Sequence, residues 1–347
     1  MFHGKKIACI SDIHLGVHQN SQDWHKYHLD FAAWFRESLI KNSIKDIVIA
    51  GDIFHNRHEV GVTTLHVAQE FFNILKEFNI VAITGNHDCY YRDNSRVNSI
   101  KVLQRENFVV YDDLHVINAF NRDISFCPWG TELEDIPECD IVVGHFEITN
   151  FKMAGNHVCE DGWNSIELLK KCKKVITGHF HLRDERTYDD AKTILYLGSP
   201  LELDLGDRDT SKGFTILDLE NLSLKFIENT ISPKHVKILL SDIKNGKYKA
   251  AILKNLIKNN HIRLVVDVRF ADSDVDLLLA KLNMLDPTHI RVEYDLPAEA
   301  NDINKANNIS ALVSIQTVLQ EYVNALDIQT SKKEIYSKCL EYYNLFQ

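Results

Sequence analysis

The chain has 347 residues, 45% of them hydrophobic and 25% charged, with a net charge of −10 and seven scattered cysteines. That composition describes a globular protein of roughly two domains, each of about 100–200 residues, and excludes a disordered chain. The cysteines are odd in number and form no Cys-x-x-Cys pair, and the apolar runs fall far short of the ~18 residues of a membrane helix, so a disulfide framework and a membrane protein are excluded as well. The start, Met1-Phe2-His3-Gly4-Lys5-Lys6, runs directly into a strand-like segment, and an intracellular, cytoplasmic protein is expected.

In chain order, short apolar runs at Ile7–Ile10, Ile47–Ala50, Ile80–Thr84, Ile141–Val143 and Val175–Thr177 predict buried strands. Apolar residues at helical spacing predict helices over Trp24–Lys41, Thr63–Phe78, Ser95–Glu106 and Ser165–Lys171. Further strands are expected at Thr193–Leu197, Gly213–Leu219 and Leu224–Glu228, as the second half of a sandwiched sheet. This alternation defines an α/β fold, two sheets flanked by helices, over residues 1–232. After Ser232-Pro233 a small α/β module spans 233–297: strand His235–Leu240, helix Tyr248–Lys258, strand Ile262–Phe270, helix Val275–Leu285 and strand His289–Tyr294. A polar, Asn-rich linker covers 298–310, and a tail over 311–347 carries a helical stripe of Val313, Ile315, Val318, Leu319, Tyr322, Val323 and Leu326.

Each of the first five strands is followed at once by a polar cluster: Asp12-Ile13-His14, Gly51-Asp52, Gly85-Asn86-His87-Asp88, Gly144-His145 and Gly178-His179-Phe180-His181. Residues at the carboxyl ends of buried strands share one rim of the sheet, where ligands bind, so five distant segments converge. Asp12 and His14, two apart at a strand end, point the same way if the backbone is extended, and can grip one cation. Asp52 has two carboxylate oxygens to share and is the natural bridge. His179 and His181 repeat the two-apart spacing, and Asn86 and His145 add neutral donors. Nitrogen and oxygen ligation without sulfur suits manganese, iron or zinc. Two such metals about 3.5–4 Å apart would clamp a phosphate and activate water. His87, next to Asn86, is left to protonate the leaving group or stabilise the transition state, with Asp88 orienting its ring.

Taken singly, these clusters have ordinary readings: an Asp-x-His turn or cap, a Gly-Asn turn, a satisfied core histidine. Five in order, each after a strand, outweigh them. The remaining histidines, among them His18, His25, His28, His58 and His66, read as surface or helix residues. So does the run Lys170, Lys171, Lys173, Lys174, which reads as a solvated helix end. The net charge is adverse to a nucleic-acid binder, whose affinity comes largely from Lys and Arg on phosphates. It favours a small substrate, unless bound metals or a basic partner offset the deficit.

The ordered clusters resemble those of the calcineurin-like metallophosphoesterases. Asp12-Ile13-His14-Leu15-Gly16, Gly51-Asp52-Ile53-Phe54-His55, and Leu197-Gly198-Ser199-Pro200-Leu201-Glu202 with Gly206-Asp207 and Lys212-Gly213-Phe214 are similar to the SbcD and meiotic-recombination-eleven branch of DNA-repair nucleases, phage members included. The resemblance covers residues 5–228 and extends more weakly into the tail. It implies Asp12, His14, Asp52 and His181 on one manganese, and Asp52, Asn86, His145 and His179 on the other, with His87 catalytic and His55 close to the DNA end. It also implies exonuclease action on duplex ends and endonuclease action on single strands, in double-strand-break repair and recombination. The 233–297 module becomes a DNA-positioning cap and the 311–347 tail a docking segment for an SbcC-type coiled-coil ATPase. A homodimer formed through Thr63–Phe78 and Ser95–Gln104 is implied too. The alternatives are a phosphoesterase acting on small diesters, or a scaffold for DNA and the ATPase with an idle site.

Overall fold

The computed structural model describes residues 2–295 apart from 93, 155–156 and 270–271, and beyond them only 323, 331–332 and 335–338. The linker expected at 298–310 lies outside the described residues, as does nearly all of the tail expected at 311–347.

The first half builds strands β1 (Lys6–Ile10), β2 (Asp46–Ala50), β3 (Asn79–Ile83) and β4 (Phe108–Tyr111) around helices α1 (Val17–Asn20), α2 (Gln22–Lys41) and α3 (Val62–Ile74). The second contributes β5 (His115–Ala119), β6 (Arg122–Cys127), β7 (Ile141–His145), the short pair β8 (Lys152–Ala154) and β9 (His157–Val158), helix α4 (Ser165–Lys171), then β10 (Lys174–Gly178), β11 (Asp184–Thr187) and β12 (Thr193–Tyr196). Strands β13 (Gly213–Asp218) and β14 (Leu224–Glu228) close the sandwich. The sheets run in the orders β14-β13-β1-β2-β3-β4 and β11-β12-β10-β7-β6-β5. Strands 213–218 and 224–228 therefore belong to the first sheet, not to the second half as expected, because β13 pairs antiparallel with β1.

Alternation along the strands explains why two sheets pack face to face. Ile7 and Cys9, Val48 and Ala50, and Val81 and Ile83 meet Ile141, Val143, Ile176 and Leu195 in the inner layer. The alternate residues Ala8 and Ile10, Ile47 and Ile49, and Ile80 and Ala82 face α2 and α3. There Phe35 packs edge-on against Phe214 at 4.8 Å and Phe72 against Phe108 at 4.9 Å. Each such fully buried ring contributes about 1.5–3 kcal/mol of transfer free energy.

Two expected helices differ. Residues 95–106 hold only a 3-10 turn, Ile100–Leu103, because Asn94 and Asn98 accept hydrogen bonds from the Arg96 and Lys101 amides and fold the segment into side-chain-closed turns. Helix α3 stops at Ile74 rather than Phe78, and Asn107 Nδ2 donates to the carbonyls of Lys76 and Phe78 beyond its end.

The module adds strand β15 (His235–Leu239), helices α5 (Leu240–Lys244) and α6 (Ala250–Ile257), strand β16 (His261–Val266), helix α7 (Asp272–Asn283) and strand β17 (His289–Tyr294), in a sheet ordered β15-β16-β17. Ile238, Ile257, Ile262, Leu264 and Leu282 form its own core. Contacts join it to the sandwich as one compact unit, Met1–Val265 with Phe270–Glu293.

Candidate metal centre

Strands β1, β2 and β3 are parallel, as are β7 and β10, so all five clusters emerge at carboxyl strand ends. Beyond β1 and β2 the two segments stay paired: the amides of Asp12, His14 and Leu15 donate to the carbonyls of Gly51, Asp52 and Ile53. The sheets meet at this rim, where His145 Nδ1 lies 2.8 Å from Ala50 O. That contact holds the ring in the tautomer that turns Nε2 to the centre.

All seven sequence-predicted ligands are brought together. His14 Nε2 and His181 Nε2 are 3.1 Å apart, with Asp12 in the same group. On the other side Asn86 Oδ1 lies 2.9 Å from His145 Nε2 and 3.0 Å from His179 Nδ1, with Asp52 beside them. Asp52 stands between, with Oδ2 3.6 Å from His14 Nε2 and 3.4 Å from His145 Nε2. Two imidazole nitrogens facing each other at 3.1 Å need a cation or a proton between them. The nitrogen and oxygen donor set around them fits divalent transition metals.

The backbone here is strained. Asp12, His14, Asp52 and His179 have φ of 54°, 52°, 55° and 87°, in the left-handed region that non-glycine residues avoid at a cost of order 1–3 kcal/mol each. The expectation that Asp12 and His14 share a side through extended geometry is thus corrected: two left-handed residues, not a continued strand, aim both inward. The motif glycines answer a need for close approach. A Cβ on Gly51, itself at φ +88°, would lie 2.4 Å from His145 Nδ1, and one on Gly85 would lie 2.2 Å from Asp52 Oδ1.

Electrostatics follow from burial. Burial pushes the Asp52 carboxyl upward, but the charge and hydrogen bond of His145, with His14 behind it, hold it far below the usual range. Burial acts against the His145 imidazolium too, yet Asp52 pulls it up to about 9. Burial keeps His14 well below its ordinary value despite Asp52.

Asp88 takes a different role from the one expected. Its Oδ2 accepts from the amides of Asp52 and Gly85, and its Oδ1 from those of Ile53 and Phe54. The carboxylate therefore clasps the β2 and β3 ligand loops together, and it does not orient His87. The His87 ring is instead set by Nδ1, 2.6 Å from His55 O, and the rings of His55 and His87 stack at 5.6 Å. His55 Nδ1 lies 3.3 Å from His14 Nδ1, so His55 also borders the centre.

Three contributors escaped the sequence reading. Glu147 Oε1 is 3.0 Å from His179 Nε2, the carboxylate partner that metal-binding imidazoles usually have; its place two residues after His145 was the available signal. Lys212, buried, donates to His181 O and Ser199 Oγ and pairs with Asp207, fixing the turn behind His181. His28, read as a surface or helix residue, does lie on α2 but is fully buried, with Nε2 2.7 Å from Ile13 O, between two ligands, and Nδ1 2.7 Å from Trp24 O. By contrast, His66 is exposed on α3 beside Glu70. Lys170 and Lys171 close α4 with local partners, as a helix end predicts, and Lys173 pairs with Asp140 just beyond it, but Lys174 instead opens β10, half-buried, and donates to Thr193 Oγ1. The described cysteines are all free, and no described helix is long and apolar enough to cross a membrane.

A two-sheet α/β sandwich with a seven-residue His/Asp/Asn cluster at its rim defines a metal-dependent phosphoesterase. The family model for the calcineurin-like phosphoesterases matches residues 5–183, and the chain belongs to that family. Its branch is that of the SbcD and Mre11 nucleases. Exonuclease subunit 1 of Enterobacteria phage T4 is 28% identical, with 95% of each chain aligned. The DNA double-strand break repair protein Mre11 of Nanoarchaeum equitans is 24% identical over 81% of each chain, and the SbcD component of the SbcCD nuclease of Staphylococcus epidermidis is 22% identical over 94% of this chain and 95% of that one.

Proposed function

We propose that this chain is a manganese-dependent DNA nuclease subunit, acting as exonuclease on duplex ends and as endonuclease on single strands during break repair and recombination. The observation that carries this reading is the convergence of Asp12, His14, Asp52, Asn86, His145, His179 and His181 with His87 at their edge. The near end-to-end alignment with a phage exonuclease subunit supports it.

In this reading Asp12, His14, Asp52 and His181 hold one ion, and Asp52, Asn86, His145 and His179 hold the other. When bound, the pair supplies Lewis acidity toward the phosphate and lowers the pKa of a water. The protein's own groups do the rest. Ala50 O and Glu147 fix the tautomers of His145 and His179. His55 O accepts the Nδ1 proton of His87, so the ring acts as imidazolium: its Nε2 proton passes to the departing oxygen, leaving a neutral ring, or its charge meets that oxygen's.

The domain roles follow the same reading: residues 1–232 as nuclease, 233–297 as a capping, DNA-positioning domain, 298–310 as linker, and 311–347 as the segment that docks on an SbcC-type ATPase. Exposed Val62 and Leu65 at the start of α3, and exposed Val97 and Val102 in the segment 95–104, support pairing of two copies through these two segments. The acidic net charge favours hydrolysis of small phosphodiesters as the second reading.

The test is manganese-dependent hydrolysis of an end-labelled duplex and of a small chromogenic diester, by the chain and by His87→Ala. Degradation of DNA that falls at least ~100-fold in His87→Ala, with metal content unchanged, is expected. Turnover of the small ester alone, with DNA untouched even when the ATPase is added, would establish the second reading.

A further inference from the structure

The centre opens into two cavities of unlike chemistry. One, of about 400 Å³, lies on the His55 side and has no Trp or Tyr in its lining, its walls being polar groups such as Gln19, Asn20 and Asn56 with the carboxylate of Glu59. The other, of about 600 Å³, lies on the Asn86 and His179 side, and its walls include Tyr90, Trp129, Arg57 and Arg92. Arg57 and His87 line both.

The aromatic wall is held in place. Trp129 follows β6, its amide donates to Thr84 O at 2.9 Å, and its Nε1 donates to Arg92 O at 3.0 Å. Its ring is 5.1 Å from that of His179. Tyr90 is 46% exposed, and its amide is tied to Val97 O. Arg57 donates to Asn86 O at 2.9 Å, which fixes its guanidinium beside a ligand. Among the described residues, neither Arg57 nor Arg92 is paired with a carboxylate. Glu147 shares the cavity but is engaged by His179, so the anionic side of a substrate is directed to the arginine wall.

Aromatic faces next to unpaired guanidinium groups are how proteins hold single-stranded nucleic acid, bases stacking on the rings and phosphates meeting the cations. The geometry points to a stacking subsite for one unpaired nucleotide on the Asn86 and His179 side of the centre, its base on Trp129 with Tyr90 opposite, its phosphate between Arg57 and Arg92. The inference rests on the nuclease reading and deepens it: the strand reaches the centre unstacked, from duplex ends and single strands alike.

The test is fluorescence anisotropy of a short labelled single strand with cleavage-resistant phosphorothioate linkages, bound to the manganese-loaded full chain, beside the same strand carrying an abasic position. Trp129→Ala is expected to weaken binding of the intact strand by roughly 10-fold or more, a stacked base being the interaction removed. Trp129→Phe retains most of the affinity, and the difference between chain and variant vanishes on the abasic strand. Arg92→Gln, on an exposed loop, lowers affinity severalfold and flattens the salt dependence by about 0.7 in logarithmic slope. Equal binding by Trp129→Ala and the unaltered chain, an equal loss on abasic DNA, or no binding of single strands by the chain would each overturn the subsite. Cleavage is read separately. DNA hydrolysis with an unaffected Trp129→Ala removes the subsite alone, whereas base-dependent binding without any hydrolysis removes the nuclease reading and leaves the subsite standing.

Discussion

Four backbone amides converge on the Asp88 carboxylate, two on each oxygen. Burial and the nearby Asp52 charge push its pKa up to about 7 against the pull of those amides. The arrangement makes Asp88 the tie between two ligand loops, and substitution tests that. Asp88→Asn places an NH₂ group against two N–H donors, and we expect a stability loss of roughly 2–4 kcal/mol, seen as a drop in Tm of about 5–10 °C. A variant with unchanged Tm and an altered pH–rate profile would return Asp88 to the ring-orienting role expected from sequence. The residue itself was legible in Gly85-Asn86-His87-Asp88, but its role was not. Three of its four donors, Asp52, Ile53 and Phe54, come from a segment more than 30 residues away, and adjacency to His87 suggested the wrong partner. The ligands were legible because each stands directly after an apolar strand run. Their left-handed backbone was not, since nothing in Asp12-Ile13-His14 marks a strained turn.

Helix α2 carries a second support. Burial pushes His28 down from 6.5 to about 4, against the pull of the Trp24 and Ile13 carbonyls. With the folded-state value below the unfolded one, the unfolded chain takes up the proton first. The stability that neutral His28 provides is full above about pH 6.5 and is lost as pH falls toward 4, by up to about 3 kcal/mol. Urea unfolding across this range should show His28→Leu less stable at neutral pH by about 1–3 kcal/mol, but with a shallower decline toward acid. An unchanged acid limb would mean that His28 is not the group responsible. At this scale helical periodicity located α2 and α4 well, yet it also marked 95–106, where asparagine side chains compete with the helix. The pattern could not separate a polar helix residue facing solvent from one buried under a ligand loop, which is why His28 was read only as a surface or helix residue and its support of Ile13 was missed.

For the whole molecule, a net charge of −10 is the feature hardest to reconcile with DNA. The fold does not remove the difficulty by gathering the lysines, since those around α4 are bonded to local groups. It concentrates two guanidinium groups, Arg57 and Arg92, at one cavity of the centre. Two cations gathered on one phosphate, or at most on a neighbour as well, displace few counterions, so log K for a single strand should fall against log salt with a slope of only about −0.7 to −1.4 for the chain alone. Slopes of about −6 or steeper belong to proteins that track a duplex through many phosphate contacts. Titration of a labelled strand with the chain alone between low and physiological salt separates the two cases. A shallow slope that steepens when a basic ATPase partner is added would place the duplex track on the partner and leave this chain to hold the strand being cut. A steep slope from the chain alone would require a phosphate path elsewhere on its surface, and the site cavity would then be a minor part of how DNA is held.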